Sequence, residues 1–166
     1  MPVNFFSATC STQLNDSLFG ICDIPPRPAF IKKIQDGTWI ATVNNTNCYE
    51  VTFVAIDNCI RLIRPDGNRY SSCDCMMVYD NTKIMFIELK ECQGNTKTWI
   101  QKADSQLKET ISHFSQSYNL NVYTKKEAYI CNNQNPKFPT NNQIRMQQFK
   151  DATDFRLKVT PIIELE

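Results

Sequence analysis

Two hydrophobic periods divide the chain. From Thr38 onward, Trp39 to Val43, Tyr49 to Ile56 and Cys59 to Ile63 are rich in β-branched and aromatic residues and are bounded by Asn, Asp or Gly, which predicts strands. Pro65-Asp66-Gly67-Asn68 predicts a turn. Cys73 to Tyr79 and Lys83 to Lys90 are further strand-like runs, separated only by Asp80, Asn81 and Thr82, and so predict a hairpin. The period then lengthens. Ile100, Ala103, Leu107, Ile111 and Phe114 recur at steps of three and four, the stripe of a helix from about Thr98 to Tyr118. Beyond it, Leu120 to Tyr123 and Ala128 to Cys131 are expected as short strands and Asn132 to Asn142, with Pro136 and Pro139, as a loop. Gln143 to Lys150 is expected as a helical turn or two and Phe155 to Leu165 as a closing strand. Ahead of Thr38, a short helix around Gln13 to Phe19 leads to an extended connector, since Pro25-Pro26-Arg27-Pro28 forbids regular helix. No internal repeat is visible. The pattern predicts one α/β (α+β) domain over residues 1–166, with a mixed central β-sheet flanked by helices.

The hairpin register decides whether two carboxylates meet. With Asp80, Asn81 and Thr82 as the loop, Tyr79 faces Lys83, and counting back pairs Asp74 with Glu88. Opposed residues of antiparallel strands point to one face with Cβ atoms about 4.5 to 5.5 Å apart, and period-two alternation adds Lys90 to that face. A two-residue loop throws Asp74 to the other side. Ile84-Met85-Phe86-Ile87 is apolar on both faces, as in a central strand, yet runs directly into Glu88-Leu89-Lys90. Neighbouring carboxylates repel unless a cation lies between them, and hard oxygen ligands suit magnesium or manganese. The backbone carbonyl of Ile87 or Leu89 is available to complete such a site.

Composition changes this picture little. The 166 residues carry 18 Lys+Arg against 17 Asp+Glu, a net charge near +1, so any nucleic-acid footprint must be local. Arg61, Arg64, Arg69 and Lys83 flank the hairpins; Lys97, Lys102 and Lys108 decorate the helix; Lys125, Lys126 and Lys137 make a third weak cluster. All of these also suit ordinary solvated faces. Met1 to Ser7 lacks the marks of a secretory signal and no apolar run is long enough to span a bilayer, so a cytoplasmic protein with no membrane partner is expected. Eight cysteines admit three readings. Cys48, Cys59, Cys73, Cys75, Cys92 and Cys131 lie mostly in or beside apolar runs, where free cysteine packs as a small hydrophobe. Cys73 and Cys75 offer two thiolates to zinc, but no CxxC pair exists and His113 is the sole histidine. Disulfides are disfavoured in the cytoplasm. His113, on the polar edge of the helix, reads as solvated more readily than as a general base.

Asp74, thirteen intervening residues, then Glu88-Leu89-Lys90 and an amphipathic helix bearing Gln106 together resemble the PD-(D/E)xK nuclease superfamily. The resemblance covers about residues 70 to 120 and implies a restriction-endonuclease-like core. It further implies that Asp74 and Glu88 bind Mg2+ or Mn2+, that Lys90 assists the nucleophilic water, and that Gln106 approaches the site from the helix. Trp99, Lys102, Gln106, Thr110 and His113 share one helical stripe that borders this face. Cys73 stands where the family has proline. A further acid, common in the family on an earlier helix, has only Asp16, Asp23 and Glu50 as candidates here. The expected function is a metal-dependent nuclease hydrolysing DNA phosphodiesters in a microbial defence or repair setting, with RNA not excluded, Lys102, Lys83 and Arg69 as nucleic-acid contacts, and a homodimer or a recruiting protein as partner. The alternative is an inactive nuclease-fold module that binds nucleic acid or protein. A third reading makes Asp74, Glu88 and Lys90 a buried ion network within a larger complex.

Overall fold

The computed structural model of the chain describes residues 2–94, 96–134 and 142–166. In chain order the elements are β1 (Ser11–Leu14), β2 (Leu18–Cys22), β3 (Phe30–Lys32), β4 (Ala41–Asn44), β5 (Val51–Ala55), β6 (Cys75–Tyr79), β7 (Lys83–Lys90), α1 (Thr96–Ser117), β8 (Lys125–Asn132), α2 (Gln143–Thr153), β9 (Arg156–Val159) and β10 (Ile162–Glu164). Six strands form one mixed sheet in the order β1-β5-β6-β7-β8-β9, and four form a second in the order β10-β4-β2-β3. The fold is therefore mixed α and β. No helix among the described residues is long and apolar enough to cross a membrane.

Strand alternation sorts the central sheet into two faces. Val54, Met76, Ile84, Phe86, Ala128, Ile130 and Leu157 point one way and pack with Ile100, Ala103, Leu107, Ile111 and Phe114 of α1 and Phe149 of α2. Phe86 anchors this layer with edge-to-face contacts to Phe114 at 5.4 Å and Phe155 at 5.6 Å. Phe53, Met77, Met85, Ile87, Leu89 and Tyr129 point the other way onto Phe19, Ile21, Ala41, Val43 and Ile163 of the smaller sheet. Both helices thus lie on one face of the central sheet and a sheet lies on the other. β7 is buried on both sides, as its unbroken apolar run requires.

Where the chain departs from the pattern-based expectations, long-range pairing overrides local spacing. The expected helix at Gln13 to Phe19 is instead β1 and β2: Ser11 to Leu14 pair with β5, and Leu18 to Ile21 pair with β4. Cys59 to Ile63 is not a strand, because the amides of Cys59 and Ile60 turn back to the carbonyl of Ile56 at 3.1 and 2.8 Å. Leu120 to Tyr123 is likewise no strand but a short 3-10 turn (Leu120–Val122), capped by the Asn119 side chain. The closing strand is two, β9 in the central sheet and β10 in the smaller one, broken at Thr160-Pro161, where proline has no amide for a ladder. Most of the expected loop at 132–142, Lys137 included, and the side chain of Lys97 lie outside the described residues.

The cysteines divide. Cys10 and Cys59 form a disulfide, so Cys59 is not the free packing residue expected. Cys48 is exposed at a left-handed turn position, φ 50°, rather than packed. Cys22, Cys73, Cys75 and Cys131 are free and buried.

Candidate active site

The hairpin closes through the three-residue loop, with Asp80 and Asn81 at φ 50° and 54°, conformations that these two residue types tolerate. Tyr79 pairs with Lys83 and Cys75 with Ile87, so the next step of the ladder sets Asp74 opposite Glu88. Both side chains take the helix-facing side, and Lys90 reaches the same side two residues on. Asp74, Glu88, Lys90 and Gln106 are brought together at the C-terminal end of β7.

A hydrogen-bonded chain joins Glu88, Lys90 and Gln106. Lys90 Nζ donates to Glu88 Oε1 at 2.5 Å and to Gln106 Oε1 at 3.0 Å. Gln106 Nε2 in turn donates to the carbonyl of Ser72 at 3.0 Å, so both ends of this amide are used and its orientation is determined. One turn later on α1, Thr110 Oγ1 accepts from the Cys73 amide at 2.8 Å and clamps the entry of β6 to the helix. Asp74 Oδ2 accepts from the Leu89 amide at 2.6 Å. Glu88 is only 2% exposed, and its Oε2 is the one carboxylate oxygen among the described residues that is buried without a partner.

Burial dominates the electrostatics. It pushes the Asp74 carboxyl up to about 7, with Asp23 and Asp57 raising it further against the lowering pull of the Leu89 amide and Lys90. Burial also holds Glu88 well above the ordinary glutamate range, and Asp74 is the strongest like charge acting on it. One ammonium faces two buried carboxyls. Neither the Leu89 amide nor Lys90 offsets the burial, so both carboxyls are held toward their protonated, neutral forms.

Asp23 and Asp57 border the site as well. Asp57 follows β5, where Ala55 pairs with Cys75, so its amide and that of Ile56 meet the carbonyl of Asp74 at 3.3 and 2.8 Å. Its Oδ1 accepts from Ser72 Oγ at 3.4 Å. Asp23 leaves β2 in the smaller sheet, and burial, then Asp57, raise its carboxyl. Asp57 escapes a reading of the hairpin alone; the only signal for it is an acid at the exit of the Tyr49 to Ile56 run. Among the described residues, no three His, Cys, Asp or Glu side chains form a ready metal-ligand group.

The expected nucleic-acid contacts scatter. Lys83 is at the opposite end of β7, about 16 Å of strand from Glu88, where it pairs with Asp80 at 3.0 Å and sits over Tyr49 and Tyr79. Lys102 is exposed one helical turn before Gln106, and Arg69 is exposed five residues before Asp74. His113 is not solvated: its ring packs on Tyr70 at 4.3 Å and its Nε2 meets Glu109 at 3.2 Å.

No protein-family model, characterised sequence or solved structure matches this chain. The geometry of the site therefore carries the functional argument.

Proposed function

We propose that this protein is a metal-dependent nuclease that hydrolyses phosphodiester bonds of DNA. The observation that supports it is the buried pair Asp74 and Glu88, with Glu88 Oε2 unpartnered and Lys90 aimed at the same point by Gln106. A buried carboxylate oxygen without a donor is costly unless something positive completes it. The donor set fits magnesium or manganese, because these ions take hard oxygen ligands and commonly bind through only one or two protein carboxylates, water and substrate phosphate supplying the rest.

Asp74 and Glu88 are the residues to hold the ion. When bound, it supplies Lewis-acid polarisation of the phosphoryl oxygen and acidifies a ligated water. The Leu89 amide fixes one Asp74 oxygen and leaves the other for binding. Lys90 places a positive charge beside the carboxylates, where it stabilises negative charge developing on a phosphate. Gln106, anchored on the Ser72 carbonyl, restrains that ammonium in position.

The Lys90 to Glu88 contact favours a second reading, an inactive nuclease-fold module in which the ammonium permanently takes the cation's place. One experiment separates the two. Plasmid and single-stranded DNA are incubated with the protein and Mg2+ or Mn2+, beside Asp74→Asn and Lys90→Met. The nuclease reading expects metal-dependent cleavage that both substitutions abolish. Wild type indistinguishable from the variants on every nucleic acid, RNA included, leaves the inactive module.

A further inference from the structure

We infer that the segment from Arg61 to Ser71 is an arm that grips the phosphate backbone of a nucleic acid and delivers it to the site; this rests on the nuclease reading for its purpose but not for its test. The segment is a β-ribbon outside the named strands. Ile63 pairs with Arg69, the Tyr70 amide donates to the Leu62 carbonyl at 2.8 Å, and the Arg64 amide to the Asn68 carbonyl at 2.7 Å. Gly67, at φ 86°, makes the reversal, and the Asp66 side chain accepts from the Asn68 amide at 2.9 Å. Asp66, the one acid of the ribbon, is held in its own turn and keeps its negative charge within reach of Arg64, which leaves Arg61 and Arg69 as the outward cations.

Alternation gives the ribbon two faces. Leu62 and Tyr70 face inward: Leu62 is 3% exposed, and Tyr70 packs on His113 of α1 with the Arg64 guanidinium 5.1 Å from its ring. Arg61, Ile63 and Arg69 face outward, all exposed, and Ile63 is 48% open to solvent. Two cations around an exposed aliphatic side chain suit a strand of alternating phosphate and sugar.

The charge pattern elsewhere makes this face distinctive. Most lysines and arginines with described side chains are held by a carboxylate within 4.0 Å. Arg27, Arg61, Arg64, Arg69, Lys102 and Arg156 are not, and three of these six lie on this ribbon. Guanidinium groups left free of carboxylates are the ones available to phosphate. Both feet of the ribbon stand in the site, Asp57 before it and Ser72 after it. Arg69 is five residues from Asp74, at most about 17 Å of chain, or about five nucleotide rises along one strand of duplex.

The test reads binding in EDTA, where no cleavage interferes, by fluorescence anisotropy of a labelled short duplex and its single strand against salt. Arg61→Gln/Arg69→Gln is expected to bind more weakly with an unchanged Tm, since both side chains are exposed. Losing two phosphate contacts flattens the log–log salt slope on duplex by roughly 1.8, so that between about 50 and about 200 mM salt the variant loses about twelvefold less affinity than wild type. Arg61→Lys/Arg69→Lys is expected to restore the slope, and Arg156→Gln, an exposed arginine on β9, to leave it untouched. Equal affinity and slope in wild type and Arg61→Gln/Arg69→Gln overturns the arm. So does binding of poly-glutamate with no binding of nucleic acid. Wild type that binds through the arginines yet never cleaves overturns the nuclease reading and leaves the arm standing; cleavage that is indifferent to the arginines does the reverse.

Discussion

Replacing Asp74 by asparagine is expected to stabilise the metal-free protein at alkaline pH. Asp74 is 8% exposed, and burial raises its carboxyl to about 7 from the ordinary aspartate 3.8. A carboxyl raised on folding contributes stability that is fully present below its unfolded pKa and is lost as pH rises through its folded one. The loss therefore runs from about pH 4 to about pH 7, at about 1.4 kcal/mol for each pH unit, which amounts to about 3 kcal/mol between pH 5 and pH 8. Glu88 is raised in the same direction and adds to the decline. Asp36 and Asp154, each lowered to about 2, are ionised in folded and unfolded chains alike across this window and contribute nothing to it. In EDTA the wild-type Tm should fall by roughly 6 to 12 °C between pH 5 and pH 8. Asp74→Asn keeps an oxygen to accept from the Leu89 amide, so its curve should be flatter and should lie above wild type at pH 8. Differential scanning fluorimetry across that range reads both. Added Mg2+ or Mn2+ should recover the wild-type loss at pH 8 and leave Asp74→Asn unmoved. An equal decline in Asp74→Asn and wild type would refute the claim that burial acts on this carboxyl.

Three further outcomes are expected. Lys90→Met strands Glu88, 2% exposed, without its ammonium, and should cost about 3 to 5 kcal/mol at pH 8 and less at pH 5; denaturant titration with Glu88→Gln added should recover the loss. Cys10→Ala/Cys59→Ala opens a loop of 49 residues' separation, and the chain-entropy account sets its cost at up to about 4 kcal/mol, so non-reducing urea midpoints should drop while those measured with reductant converge. Gly20→Ala sets a Cβ 2.0 Å from the Trp39 ring, an overlap that should cost about 1 to 3 kcal/mol of stability by thermal melt, because an indole has no free end to swing aside.

Legibility in this chain follows how far apart in sequence the interacting residues are. The hairpin was readable because its register is set within three loop residues, and the apolar run of β7 left no choice of faces. Helix α1 was readable because one stripe, Ile100 to Phe114, carries its whole contact with the sheet. The N-terminal third was not. Leu14 and Leu18 are spaced as on a helix, but Leu14 pairs with Val51 and Leu18 with Asn44, and those partners are invisible to a local window. Asp57 was missed for the same reason. The register of β5 against β6 puts it beside Asp74, yet the nineteen residues from Ile56 to Asp74 impose no register of their own. The scatter of the lysines was equally hidden, since Lys83 shares a strand with Glu88 but lies at its far end.

The same geometry weighs on whether the site is a mere ion network. A buried salt bridge retained for packing needs its charges balanced and its remaining lone pairs satisfied, because the attraction between the ions does not by itself repay their desolvation. Here two buried carboxyls meet one ammonium, and one oxygen of Glu88 has no donor. Gln106 spends its amide nitrogen on the Ser72 carbonyl and its oxygen on Lys90. The amide is oriented to position the lysine rather than to satisfy the acid. Asp57 and Asp23 then add negative charge where a structural network needs less of it. An arrangement that gathers buried acid around a restrained lysine, at the foot of a ribbon with arginines free of ion pairs, is the one the proposed nuclease reading calls for, and a self-contained ion network does not account for it.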